Sequence, residues 1–471
     1  MIQINTIFKY FLVLGISFSI FSCSKDQHRS FYLRTSVQKI QYQIDQKSAR
    51  NWSVIPSIET DRLDVECGDT PSEVKFVSDI DTIKFTIREK DTIRFAVLYK
   101  QDTARTEIVG VPKNVYFSKD YIKENEGKYK VAIPEVHELA NIMVAISNVG
   151  QIDENMVDMT TDYHKEVIDY FLKYKKHPAI DTINKYIVKP LHNESYYFYY
   201  ALKMNACGYF FDENNKIIDD GVIHNMGFET PKNPFISNSE LFEGFSKTSN
   251  FRAFYATHKD YYNSLISEYK TLNPIDKMQQ WLEQKFGFAY GNYSVLFSPL
   301  VGVAHATRSY EDNGFEQTVM YVCRAEYTEG NSKTMDEIRN SRVVFTEIDH
   351  NFVNPVSDTY SDEIDSAFSN RSKWVNDSKS GATAYNTPYM IFNEYMTYAF
   401  YSLYCMDLYS KEVCEAYLPI MESLMVRGRG FENFEKFNRF MMQLYIDKPK
   451  ISVKELYKEM FTWSEKINLK L

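Results

Sequence analysis

Apolar and polar positions alternate through Asp81–Lys90 and again through Asp91–Lys100, a ten-residue near-repeat in which Ile83, Phe85 and Ile87 correspond to Ile93, Phe95 and Val97. A period of two with β-branched and aromatic residues predicts strands, and two at this spacing predict neighbours in a meander. Trp52, Val54, Ile55 and Pro56 mark an earlier strand, so residues 31–112 read as a small β-domain. From about Val115 the period lengthens to that of helices. Ile133-Pro134-Glu135 opens the first, with Val136, Leu139, Ala140, Ile142 and Met143 on one face and a proline where its missing N–H costs nothing. Further helices are expected near 161–175, 194–210, 239–270 and 274–285, and strands within 293–327, clearest at Tyr293–Leu300 and Thr318–Tyr327. The fold class is therefore α+β: a mainly helical domain with a small sheet over 115–471, preceded by the β-domain.

The N-terminus adds a location. Lys9 precedes an apolar run from Phe11 to Phe21, broken only by Gly15, Ser17 and Ser19. A spanning helix needs about 20 apolar residues, so this run reads as a signal peptide over residues 1–22. Ser22 before Cys23, with Ile20 three positions ahead of the cysteine, resembles the lipobox of bacterial lipoproteins. That resemblance implies a lipid on Cys23, a polar tether over 23–30, and a membrane partner reached through the lipid at the outer membrane or cell surface. Net charge is −9, and no block of lysine and arginine stands out, which argues against nucleic acid as a partner. If Cys23 carries lipid, the five remaining cysteines contain no C-x-x-C pair and read as buried thiols. Cys405 and Cys414 can pair only across a turn. The run Tyr196 to Tyr200 falls in a helical pattern and reads as packing, not as an exposed stacking platform.

Chemistry concentrates in Thr346-Glu347-Ile348-Asp349-His350, which differs from the zinc-peptidase pentad H-E-x-x-H at its first position. Each helical residue advances about 100°, so Thr346 and His350 lie within about 40° of one another and Glu347 within about 60° of His350. In the zinc version two imidazoles hold the metal, the glutamate takes a proton from the bound water, and a third ligand leaves one position open. A candidate third ligand is Glu394, the one charged residue between Pro388 and Met406, in a segment that Thr387 can cap. An isolated carboxylate in such a helix must be paired, hydrogen-bonded or metal-bound. Threonine is a weak ligand; the nearest substitutes are Glu347 itself, Asp349 and above all His305, just upstream on the expected sheet. Tyr398, one turn beyond Glu394, is a candidate for stabilising an oxyanion. His137 and His164 also stand near acidic residues, on what read as packed or solvated helix faces. No G-x-S-x-G elbow or phosphate-cradling glycine loop is present.

The lipobox, the β-module, Pro134 to Ile142, the T-E-x-x-H-N-F-V-N-P helix and Asn393-Glu394 together resemble a family of uncharacterised bacterial lipoproteins related to gluzincin metallopeptidases. The likeness spans about Val115 to the C-terminus. It implies a zincin-like domain, with Glu347 as base and His350 and Glu394 as zinc ligands. Thr346 departs from the pattern at a ligand position, and Asp349 replaces the small residue usual before the second histidine. Two readings follow. One is a zinc peptidase, in which metal-activated water cleaves a peptide or protein substrate if the metal is retained; the other is an inactive pseudopeptidase that binds peptide or glycan at the envelope.

Overall fold

The computed structural model describes residues 31–469, apart from 46–48, 57–59, 69, 228–232 and 384. The signal peptide, Cys23 and the tether lie outside the described residues. No helix among those described is long and apolar enough to cross a membrane. The chain divides into two compact units at Lys113–Asn114.

The first unit is a sandwich of eight strands: β1 (Phe31–Thr35), β2 (Lys39–Ile44), β3 (Arg50–Ser53), β4 (Asp61–Cys67), β5 (Ser72–Val77), β6 (Thr82–Ile87), β7 (Thr92–Tyr99) and β8 (Asp102–Pro112). They form two four-stranded sheets, β1-β7-β8-β4 and β3-β2-β5-β6. The near-repeat forms β6 and β7, but these are not ladder neighbours as the meander reading expects. β6 pairs with β5, whereas β7 pairs with β1 and β8 in the opposite sheet. The turn between them carries the chain from one sheet to the other: Asp91 N donates to Arg88 O, and Lys90 takes a positive φ of 72°. Gly110 of β8 allows this crossing, because a Cβ there would meet Arg88 O at 1.8 Å. Alternation fixes which face is inward, and both copies obey it, with Phe85 and Ile87 meeting Phe95 and Val97 in one core. It carries no information on the partner strand. Phe95 packs against Phe76 and Phe85 at centroid distances of 4.9 and 5.0 Å, joining the sheets. Each such fully buried ring contributes roughly 1.5–3 kcal/mol.

The second unit is mainly helical. Its principal sheet contains β9 (Lys128–Ala132), β12 (Asn292–Phe297), β13 (Ala306–Asp312) and β14 (Phe315–Val322) in the order β13-β14-β12-β9, parallel except for the β13–β14 hairpin. A two-stranded ribbon, β10 (Tyr209–Phe211) with β11 (Ile217–Asp219), lies apart from it. Four helices matter for the site region: α1 (Glu135–Ala145), α2 (Asn193–Ala206), α3 (Lys333–Asp358) and α4 (Pro388–Leu408). Pro134 precedes α1 in extended conformation, and Thr387 caps α4 by accepting from Met390 N. The long helix expected over 239–270 is instead three, Pro234–Ser249, Phe251–Thr257 and Lys259–Leu272. Asn250 stops the first at φ 55°, a left-handed position that asparagine tolerates. Cys405 and Cys414 are free and buried, and the Cys414 thiol donates to the Cys405 carbonyl.

Candidate functional site

α3 and α4 pack antiparallel: Ser341 Oγ reaches Tyr401 OH at 2.8 Å near one end, and Asn393 Nδ2 donates to Asn354 Oδ1 at 3.0 Å near the other. Between these ends α3 turns Arg342, Thr346 and His350, four residues apart, toward α4, which presents Glu394 and Tyr398 at the same spacing. Two contacts tie the facing rows together. Arg342 Nη1 donates to Tyr398 OH at 3.0 Å, and His350 Nε2 lies 3.7 Å from Glu394 Oε2.

Glu394 is nearly sealed, its side chain 6 % exposed. Its Oε1 accepts from Arg429 Nη1 at 2.5 Å, and Arg429 Nη2 donates to Tyr385 OH at 2.8 Å. Burial pushes the Glu394 carboxyl up, but the Arg429 guanidinium and then His350 outweigh it and hold the pKa down at about 2. Burial likewise opposes charge on His350, yet Glu394 raises the imidazole to about 9. His350 Nδ1 completes the pair by facing Asn354 Oδ1 at 3.4 Å. Arg429 is delivered by an unusual piece of backbone, a π-helical turn over Leu424–Arg429 that ends at Gly430 with φ 87°. A Cβ on Gly430 would lie 2.8 Å from Lys379 Cβ, and a side chain disfavours that φ in any case. Such π turns occur frequently at functional sites.

A second pair stands beside the first. Glu347 Oε1 lies 3.3 Å from His305 Nε2, and His305 Nδ1 donates to Val303 O at 3.0 Å, which fixes the ring. Burial raises the Glu347 carboxyl and the hydrogen bond to His305 outweighs it; burial lowers His305 and Glu347 outweighs that. The pairing favours the charged form of each, and both are partly open, 24 % and 30 % exposed.

Against the residues singled out in the sequence, the structure brings His350 to Glu394 and His305 to Glu347, as two separate pairs. Thr346 turns away from both: its hydroxyl donates to Arg342 O at 3.0 Å and Val343 O at 3.2 Å of its own helix, the back-bonding habit of mid-helix threonine. Asp349 is fully buried with neither carboxylate oxygen hydrogen-bonded, and burial raises its pKa far above the usual range, so it is a neutral acid. Tyr398 is 5 % exposed and its hydroxyl is already met by Arg342. His137 is sealed in the core, and His164 contributes to neither pair. Arg342, Arg429 and Tyr385 are the residues that sequence reasoning missed. Arg342 left one trace, its place one turn before Thr346 on the same stripe; Arg429 left none, because only the π turn brings it to Glu394.

This donor set does not fit a zinc ion. Zinc wants three converging protein ligands at about 2 Å. Here the threonine oxygen is directed into its helix, one Glu394 oxygen is held by a guanidinium, and His350 is an imidazolium with both nitrogens engaged. Among the described residues no group of three or more His, Cys, Asp or Glu side chains could hold one ion. The chain matches no protein family, no curated protein and no solved structure.

Proposed function

We propose that this chain is a lipid-anchored envelope protein whose zincin-like domain binds peptide without cleaving it. The position that a metal would take beside His350 and Glu394 is served by the Arg429 guanidinium. The observation that carries this reading is the Arg429–Glu394 contact at 2.5 Å, combined with a Thr346 hydroxyl bonded to its own helix. Losing one ligand of three lowers zinc affinity steeply, and a permanent cation on the second repels an incoming divalent ion. The site retains other features useful for binding: partly open charged pairs, and the outer strand β13, which meets α3 through Ser309 Oγ and Asn351 Oδ1 and has no ladder partner on its far side among the described residues. An extended peptide can add to such an edge through backbone hydrogen bonds, with side-chain pockets supplying selectivity. Anchoring through Cys23 belongs to the same proposal and rests on the lipobox-like sequence alone.

The test uses a fluorescein-labelled, fully randomised hexapeptide pool. The expected result is saturable binding by anisotropy, with no new peptide termini after prolonged incubation, with or without added zinc. Zinc-dependent cleavage abolished by Glu347→Gln would establish the peptidase reading instead. For the anchor, the native chain is expected in the detergent phase on phase separation, and Cys23→Ser in the aqueous phase.

A further inference from the structure

Three ion pairs, two of them sharing Glu394, account for Glu347, His305, Glu394, Arg429 and His350, and they leave Arg342 over. Its guanidinium meets two tyrosine hydroxyls, Tyr398 at 3.0 Å and Tyr417, and no carboxylate of the described residues lies within ion-pair reach. A half-buried guanidinium without an anion is uncommon, since a buried charge is normally paired. A second guanidinium stands close by. Tyr398 lies between them, with Arg342 Cζ 5.7 Å and Arg429 Cζ 5.2 Å from its ring centroid. The ring face attracts both cations and helps to hold two like charges near each other.

The local charge balance points the same way. Arg342, Arg429 and the His350 imidazolium face two carboxylates, Glu347 and Glu394, so the site is electropositive within a chain of net charge −9. Thr346, between Arg342 and His350 on the same stripe, is short and has its hydroxyl turned back into the helix. That stretch of α3 therefore places no acceptor side chain in competition for Arg342.

We propose that Arg342 is the anchor for an oxyanion, namely the terminal carboxylate of a peptide lying along α3 and β13, received by the guanidinium N–H groups that the two tyrosines leave unused. This deepens the peptide-binding reading and rests on it. A planar carboxylate matches the fork of arginine through two parallel hydrogen bonds, and charge-assisted bonds of this kind are about twice as strong as neutral ones. Tyr398 acts as a positioning residue that fixes the plane of the fork. The peptide end is favoured over a free oxyanion because the outer strand β13, joined to α3 through Ser309 Oγ and Asn351 Oδ1, is available to the preceding backbone.

The experiment compares two fluorescein-labelled random hexapeptide pools, one ending in a free carboxylate and one in a carboxamide, on the full native chain and on R342M and R342K. The free-acid pool is expected to bind about tenfold tighter than the amide pool, a ratio that falls to about one in R342M and is partly kept in R342K. Circular dichroism of R342M should match the native chain; if R342M unfolds, R342K carries the test, since lysine keeps charge without the fork. Equal binding of acid and amide pools by the native chain overturns the anchor while leaving peptide binding intact. Binding of neither pool overturns both. Inorganic phosphate alone binding more tightly than the free-acid pool overturns the peptide end as the occupant.

Discussion

Two helices of the second unit carry a pentad with glutamate in second place and a histidine at one end, and they do opposite things with it. In α1 it is His137-Glu138-Leu139-Ala140-Asn141; in α3 it is Thr346-Glu347-Ile348-Asp349-His350. The α1 set is sealed, with His137 and Glu138 fully buried beside Lys203 of α2, also fully buried. Burial drives His137 down to about 3 and Lys203 well below its usual range, and it lifts Glu138 to about 7. These groups survive by hydrogen bonding: Asn141 to His137, Tyr163 to Glu138, Lys203 to Tyr199. In α3, counter-ions from other elements reverse the outcome. Arg429 and His305 hold the pKa values of Glu394 and Glu347 down, and the carboxylates in turn raise those of His350 and His305. A helix pentad is thus not a chemical unit. Whether it is inert packing or a charged site depends on which distant residues face it.

The contrast predicts different mutational costs. Arg429→Met should have the largest effect, about 3 kcal/mol lost in urea denaturation, because it leaves Glu394 buried with only His350 as partner. A loss below about 1 kcal/mol would show that the guanidinium is dispensable. Next comes the pH dependence of His350. Its folded pKa is raised to about 9, so its stabilisation is fully present below the unfolded value of about 6.5 and is lost as pH rises through about 9. Glu394, held at about 2, contributes above its unfolded value of about 4.3 and loses that contribution as pH falls toward 2. The stability gap between the native chain and His350→Gln should therefore be widest near pH 5–6, about 1–2 kcal/mol because a third of the ring faces solvent, and should close by about pH 9. A gap constant with pH would contradict the charged pair. The smallest effect belongs to the sealed cluster. Glu138→Gln should change stability by under about 1 kcal/mol at pH 5, and as pH rises from about 4.3 to 7 the glutamine should gain relative to the native chain and then level off, since over that range the unfolded glutamate ionises before the buried one. A large loss on Glu138→Gln at neutral pH would place a buried ion pair there after all.

The same contrast marks how far the sequence could be read. Features set within a few residues were legible: the cap at Thr387, the proline before α1, and the inward faces of β6 and β7. So was the isolation of Glu394 in an apolar helix, which demanded a partner. What failed were pairings made at long range. Nothing local says that β6 and β7 belong to opposite sheets, or that His305 turns to Glu347. The partner of Glu394 comes from 35 positions along the chain, on a π turn that no periodicity announces. The break at Asn250 is a local signal that was read through, because the apolar pattern runs across it.

The central claim is that a guanidinium has taken the place of a metal, and zinc titration by calorimetry tests it most directly. The native chain, Thr346→His alone and Arg429→Gln alone are expected to show no saturable one-to-one binding. The double variant Thr346→His/Arg429→Gln, which supplies the missing imidazole and frees Glu394, is expected to bind one zinc ion. One zinc bound stoichiometrically by the native chain and lost on His350→Ala would contradict the account.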